Sequence, residues 1–581
     1  MNQFLSMLQR HAVGCVVHCH EVRNIKKIPT TCFTAIFLAI ILLISDVGTL
    51  HAALEVPEGE RITNIIVIGR GIPLKEQYEL FSPKIGQNFD IKNFWIRADL
   101  RVRPEYRNHL CFGGGIGSGG NCNDPIGQAN PTGYNGRAND SFVQQMTRLG
   151  IGYDLSPDVN FYFEFIDSRT WGGNGDPINH TCPTALINSK TACSLGIRAG
   201  YMLVKNFAGI QGFGVKAGRQ YLVFGDQSLL GHFDWANTGF SFDGIMTNYS
   251  TQFMESSLGW FRLAETDLVQ GAALGSGGPN INPVTGQAGA SVTGQARNAH
   301  GDVDMLVFYN QIKAVPWTLI EPFYLYYKNN LGAGDVRAQG LGTPKHGNQT
   351  RHVVGNRIAI KKGGFDVSNE IVYQFGQMGD TGGVDQRCGT PGSEYKCFHI
   401  NAWATRNWIG YTFYDLAWKP RLALNFDYAS GDSNANCTLN AAYGRCTGTS
   451  NTFENFYPTN HIHMGYMDVM GWKNTLTWSA NFQARPTRDD HVEVWYTNLN
   501  LARAQDNWYR ASQGVYVYSK VGNTTNHVGD ELDFTWTHFF MDGKLAFQTN
   551  FSYMFAGPYI RENLRTSKDQ TWAYAQFWLN F

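Results

Sequence analysis

Nine arginines recur at positions where a guanidinium could meet an anion: Arg97, Arg101, Arg103, Arg148, Arg169, Arg198, Arg357, Arg421 and Arg485. Guanidinium stays charged at any working pH and grips a carboxylate with two parallel N–H bonds. A file of such groups would draw an anionic solute and pass it between weak sites, as rings of arginine or lysine do in anion pores. Mutual pairing is the competing reading, because Asp99, Glu164, Glu370, Asp427, Glu493 and Asp533 fall among them. Other chemistry is thinly represented. Gly115, Gly117 and Gly120 fit G-x-G-x-x-G, but inside a loop bounded by Cys111 and Cys122, with no strand-to-helix context to hold a nucleotide. His461 and His463 could ligate a metal, although such a loop pair is more often structural. No serine, histidine and acid stand together as a catalytic set. We expect no enzyme, no cofactor and no metal.

The elements that must position these arginines read as strands. From Phe94 the chain alternates with period two. Phe94, Ile96, Ala98, Leu100 and Val102 share one face, and Trp95, Arg97, Asp99, Arg101 and Arg103 the other. The split recurs at Leu422, Leu424, Phe426 and Tyr428 against Arg421, Ala423, Asn425 and Asp427. It recurs again at Leu476, Trp478, Ala480 and Phe482 against Thr475, Thr477, Ser479 and Asn481. One face suits lipid and the other water. Strands are predicted at 94–107, 142–154, 159–171, 194–205, 213–222, 241–251, 253–264, 301–313, 317–328, 352–362, 364–377, 405–417, 420–430, 471–485, 488–502, 528–541, 543–556 and 569–581. Eighteen is an even number, as bacterial single-chain barrels require. The fold class expected is all-β: a transmembrane antiparallel β-barrel with short periplasmic turns and long extracellular loops. Turns such as Ser156-Pro157-Asp158, Gly363-Gly364 and Asp542-Gly543 follow even strands, whereas 265–300, 329–351 and 431–470 follow odd ones.

Composition agrees. Charged residues are 16% of the chain and aromatics 14%, with Lys plus Arg equal to Asp plus Glu at 47 each. Soluble domains carry roughly 25% charged residues, and no basic excess points to nucleic acid. One apolar run, Cys32 to Ile44, follows Arg23, Lys26 and Lys27 and precedes His51-Ala52-Ala53. It is short against the roughly twenty residues of a membrane helix and reads as a secretory signal. Residues 1–53 are therefore expected to be a signal peptide, 54–93 a periplasmic or plug-like segment, and 94–581 the barrel. The cysteines beyond residue 53 fall as close pairs: Cys111 with Cys122, Cys182 with Cys193, Cys388 with Cys397, and Cys437 with Cys446, all in or beside predicted outer loops. In an exported chain this spacing predicts local disulfides. The last strand, Thr571 to Phe581, alternates aromatics and ends in phenylalanine, similar to the C-terminal signature recognised by the barrel-assembly machinery.

Three stretches resemble the alginate-export family of outer-membrane barrels. They are Phe163-Glu164-Phe165-Ile166-Asp167-Ser168-Arg169-Thr170-Trp171-Gly172; Gly218-Arg219-Gln220 through Phe224-Gly225-Asp226-Gln227, Asp234-Trp235-Ala236-Asn237 and Ser241-Phe242-Asp243-Gly244; and Tyr457-Pro458-Thr459-Asn460-His461 with Gly465-Tyr466-Met467-Asp468 and Lys473-Asn474. The resemblance implies an eighteen-stranded outer-membrane barrel that exports an anionic polysaccharide through an arginine-lined pore, partnered by outer-membrane lipid and a periplasmic export scaffold. The alternative is a general or anion-selective diffusion porin for small solutes. Ser228 and Phe240 stand where such relatives often carry arginine, which weakens the expectation of a polyanion. Arg219 falls on the opposite parity from Lys216 and Gln220, so a bulge near Gly218 or a misplaced strand is expected there.

Overall fold

The computed structural model describes residues 93–116, 122–123, 139–171, 196–264, 303–329, 349–378, 398–433, 449–511, 513–519, 522–564 and 566–580. The predicted signal peptide and residues 54–92 of the segment after it lie outside the described residues. So do three of the four predicted disulfides, Cys182 with Cys193, Cys388 with Cys397, and Cys437 with Cys446.

Eighteen strands form the wall. They are β1 (Phe94–Asn108), β2 (Asp140–Ser156), β3 (Val159–Thr170), β4 (Gly196–Val204), β5 (Phe213–Gln220), β6 (Phe242–Ser250), β7 (Met254–Ala264), β8 (Val303–Ile312) and β9 (Thr318–Asn329). They continue as β10 (Gln349–Lys362), β11 (Phe365–Met378), β12 (Phe398–Thr412), β13 (Arg421–Ala429), β14 (Thr475–Ala484), β15 (Asp490–Asn500), β16 (His527–Phe540), β17 (Leu545–Ala556) and β18 (Gln570–Asn580). Each pairs antiparallel with the next, and β18 returns to β1 with Arg101 opposite Trp578, which closes the sheet and leaves no edge. No helix among the described residues is long and apolar enough to cross a membrane; the strands do so. Outward positions carry Ile96, Leu100, Leu422, Leu424, Phe426, Trp478 and Phe551, all exposed on the isolated chain. That is the lipid-facing band expected from the alternation.

One strand lies elsewhere than predicted. β12 runs Phe398–Thr412 rather than 405–417. Residues 413–420 are a turn in which Trp418 and Lys419 adopt left-handed φ of 67° and 43°. Phe413, Tyr414, Leu416 and Trp418 are exposed there. Aromatics at a barrel rim sit at headgroup level, and such a girdle imitates strand alternation in the sequence. The turn after β10 needs Gly363, whose φ is +58° and whose Cβ position is open.

Three of the long connections fold into the barrel. Residues 221–241, 430–433 with 449–474, and 501–511 with 513–519 and 522–526 build an apolar core inside the lumen, with Phe453, Tyr466, Trp472, Trp508 and Tyr509 fully buried against wall residues such as Val307, Leu325 and Val353. Polar links join the three. Tyr457 N–H donates to Leu229 O at 3.0 Å. Thr459 Oγ1 donates to Gln227 Oε1 at 2.8 Å. The Asp506 carboxylate accepts from Asp432 N–H at 2.8 Å, Thr452 Oγ1 at 2.7 Å and Tyr509 OH at 2.8 Å. A short helix, α1 (Pro558–Leu564), buries Tyr559 and Ile560 beside them. The Cys111–Cys122 disulfide forms as predicted. It closes the loop after β1 on itself, and that loop meets the third inward loop where Cys122 pairs with Val517 and Phe112 packs 5.4 Å from Trp508. Closing a loop of this size stabilises the native form by roughly 3 kcal/mol on the loop-entropy account.

Candidate functional site

On β1 the odd-numbered residues point inward, so Arg97, Arg101 and Arg103 stand one above another on the lumen wall. Arg148 joins them from the even face of β2. Arg198 comes from β4 at a bulge: β3 pairs Glu164 with Ala199 and then Phe165 with Ile197, so Arg198 is the extra residue. Arg357 and Arg421 enter from β10 and β13. All seven are buried.

Two predicted members are placed elsewhere. Arg169 is on the outer face, paired with Asp167 at 2.7 Å. The inward set on β3 is Asn160, Tyr162, Glu164, Ile166 and Ser168, so an odd number at 169 must face out. Arg485 lies beyond the end of β14, exposed in the turn 485–489 on the short-turn rim. The puzzle at Arg219 resolves the same way. Inward residues on β5 are even-numbered, so Arg219 faces outward with no shift of register. Gly218 takes φ +121° with its backbone against Gly200 O, where a Cβ would collide.

The inward guanidiniums are largely neutralised. Arg97 and Arg148 share Asp99 at 3.0 and 3.1 Å. Arg148 also reaches Asp234 at 2.8 Å, and Arg198 reaches Asp234 at 3.5 Å. Arg101 donates to the carbonyls of Asp234 and Trp235 at 2.7 and 2.9 Å. Arg103 takes Glu105 at 2.7 Å and Trp235 O at 3.0 Å. Arg357 pairs with Glu321 and stands 3.7 Å from Asp226. Arg421 grips Asp366 at 2.5 and 2.9 Å. The first inward loop thus serves as counter-ion or carbonyl partner for Arg101, Arg103, Arg148, Arg198 and Arg357. Burial pushes the Asp234 carboxyl up, but Arg148, His232 and Arg198 outweigh it and hold it well below the usual carboxylate range. Asp226 is likewise held down, to about 2, as His463, Arg357 and Arg406 overcome burial. Burial itself pushes His463 down to about 3, so at neutral pH the two arginines hold Asp226.

Sequence reasoning missed Arg107, Arg351 and Arg406. Arg351 shares the parity of Arg357 but lies one residue before the predicted strand start. Arg406 lay inside its predicted strand, on the parity of the buried Trp408. It bonds Asp427 at 3.1 Å through Nε and lies 4.5 Å over Trp472, while its buried Nη1 and Nη2 have no hydrogen-bond partner among the described residues. The two positions where arginine was expected by resemblance are filled otherwise. Ser228 donates to Glu370, and Phe240 packs edge-on to Tyr457 at 5.5 Å. His461 and His463 serve separate partners. His461 stacks on Trp235 at 3.9 Å, and His463 Nε2–H donates to Asp226 O at 2.8 Å.

On the extracellular side of this network is a cavity of about 520 Å³, lined among others by Arg103, Arg107, Gln144, Trp235, Tyr457 and Trp572 and bounded by Leu110 and Cys111. Arg103 lies 3.8 Å over the Trp235 ring and Arg107 4.6 Å over Trp572. Arg103 already donates to Glu105, Trp235 O and Gln144 Oε1, and Arg107 to Glu105, so an anion would meet only the remaining in-plane N–H groups. His461 covers the Trp235 face opposite Arg103, and Trp572 is buried, so a sugar would meet guanidinium edges and the Gln144 amide N–H groups rather than an indole face.

Comparison with known sequences matches residues 281–574 to the family described as "Alginate export". No curated protein matches. Among solved structures, Pseudomonas aeruginosa OpdQ is similar at 10% identity and TM-score 0.45, covering 84% of this chain and 98% of that one. The same organism's OccK2 (OpdF), solved in complex with glucuronate, is similar at 10% identity and TM-score 0.44, covering 84% and 99%. OccK5 (OpdH), also from Pseudomonas aeruginosa, gives 10% and 0.43, covering 84% and 98%.

Proposed function

Since this chain belongs to the alginate-export family and is an outer-membrane channel, we propose that it passes an anionic carbohydrate, with export of an anionic polysaccharide as the leading reading. The observation that carries this is one cavity that sets Arg103 and Arg107 beside the polar groups of Gln144 and Tyr457. A neutral sugar needs the amide and hydroxyl groups and a small inorganic anion needs the guanidiniums; a uronate-like unit uses both. The wall arginines would pass such a unit inward or outward between weak sites, with the three inward loops shifting to admit it. A periplasmic export scaffold and the barrel-assembly machinery are the protein partners this reading requires.

A small-solute, anion-selective porin is the second reading, and one observation favours it. The inward loops fill the lumen with buried side chains, and most arginines already hold a carboxylate. Planar-bilayer recording separates the two. Under the first reading a uronate oligomer blocks the current, a neutral oligosaccharide of equal length does not, and Arg103→Gln with Arg107→Gln abolishes the block. Unimpeded current of small anions, indifferent to either oligomer, would overturn it in favour of the second.

A further inference from the structure

The outer surface carries charges that the lumen does not use. Register places Arg219 of β5 opposite Asp243 of β6, Asp243 opposite Arg262 of β7, Arg262 opposite Asp304 of β8, and Asp304 opposite Lys328 of β9. The row alternates in sign across five neighbouring strands. Arg219 grips Asp243 through two bonds of 2.8 and 2.7 Å. Arg262 bonds Asp304 at 2.6 Å. Lys328 ends the row, exposed and without a described partner. Every member lies within three residues of the long-loop end of its strand. Two residues toward the middle on the same face is a wholly apolar row, Ala217, Ile245, Trp260, Leu306 and Tyr326. Two strands before β5, Arg169 and Asp167 form another outward pair.

Charge on the lipid face is tolerated near the interface and opposed in the hydrocarbon, and Trp260 and Tyr326 in the neighbouring row are of the types that favour the interface. The row therefore belongs at headgroup level on the extracellular side. Among the described strand residues, outward arginine and lysine in the extracellular half of the wall occur only on β3–β9; the corresponding positions of β10–β16 hold groups such as Thr350, Gln377, His399 and Asp530. The surplus on this arc is cationic: Arg169, Arg219, Arg262 and Lys328 against Asp167, Asp243 and Asp304. Guanidinium and ammonium groups take phosphate oxygens.

We propose that the extracellular ends of β3–β9 dock the phosphorylated headgroups of outer-leaflet glycolipid, with Arg262 and Lys328 as the phosphate contacts. The full chain refolded in micelles is offered a bisphosphorylated glucosamine-disaccharide lipid, its dephosphorylated form, or phosphatidylcholine. Retained lipid is counted by native mass spectrometry. The phosphorylated form alone should be retained, and Arg262→Gln with Lys328→Gln should lose it, while His399→Gln on the other arc keeps it. Excess inorganic phosphate should not displace it; displacement would reassign the site to free phosphate and overturn the proposal. So would equal retention of the dephosphorylated lipid, or a change of oligomeric state in the double variant with lipid binding intact, which would make the row a contact between copies. If the double variant fails to show the heat-modifiable migration of a folded barrel, Lys328→Gln alone carries the test, since that exposed side chain holds no described contact in the wall. Channel selectivity should be unmoved by Lys328→Gln, so this result stands apart from the reading of the lumen.

Discussion

Asp234 connects wall to loop through single atoms. One carboxylate faces both Arg148 and Arg198, and its own backbone carbonyl receives Arg101. Removing one partner of a buried charge pair leaves the other uncompensated and costs about 3–5 kcal/mol. Asp234→Asn keeps the shape and deletes the charge. It should loosen the 221–241 loop and unmask two guanidiniums, so that the reversal potential in a salt gradient moves toward greater anion preference. An unchanged potential would mean the wall charges do not face the permeation path. The arginine positions on β1 were legible because five inward residues in succession keep one parity. Arg169 was not, because Glu164 and Arg169 cannot both face inward on an unbroken strand, and the sequence does not say which of the two does.

The inward loops are held as elements, and Asp506 is their shared fastening. It accepts hydrogen bonds from the second loop at Asp432 and Thr452 and from its own loop at Tyr509. Burial pushes its carboxyl up to about 6 against the pull of those donors. A folded-state pKa above the unfolded value of about 3.9 means that the docked loop takes up a proton. Its contribution is fully present below about pH 4 and is lost as pH rises through about 6, on the order of 3 kcal/mol in all. Amide hydrogen exchange across 501–511, corrected for intrinsic rates, should report firmer docking at pH 5 than at pH 8. Equal protection at the two values would remove Asp506 from this role. Nothing in the alternation announced that these connections fold inward. A loop that fills a lumen satisfies its backbone against a wall assembled from distant strands, and that wall is not a local property.

For the whole molecule the governing contrast is the greasy outside against the wet, loop-filled inside. Leu424 on β13 is 59% exposed and faces lipid. Leu424→Arg should cost about 2–4 kcal/mol if it lies near the bilayer midplane, whereas Leu424→Phe should cost little. Urea titration of the protein assembled in vesicles distinguishes them, and similar midpoints for the two variants would place Leu424 away from the hydrocarbon.

The sequence by itself determined the eighteen strands, the rim on which the long loops lie, the closed antiparallel wall and the Cys111–Cys122 bridge. These follow from period-two patterning and from spacing, which are local. Only the tertiary structure decided which charges meet. The pairing of Arg148 with Asp234, of Arg357 with Asp226 and of Arg103 with Trp235 joins residues 86, 131 and 132 positions apart. The outward row from Arg219 to Lys328 depends on the register of five strands. Both are set by where the barrel closes and how its strands align, and neither quantity is written in any single segment.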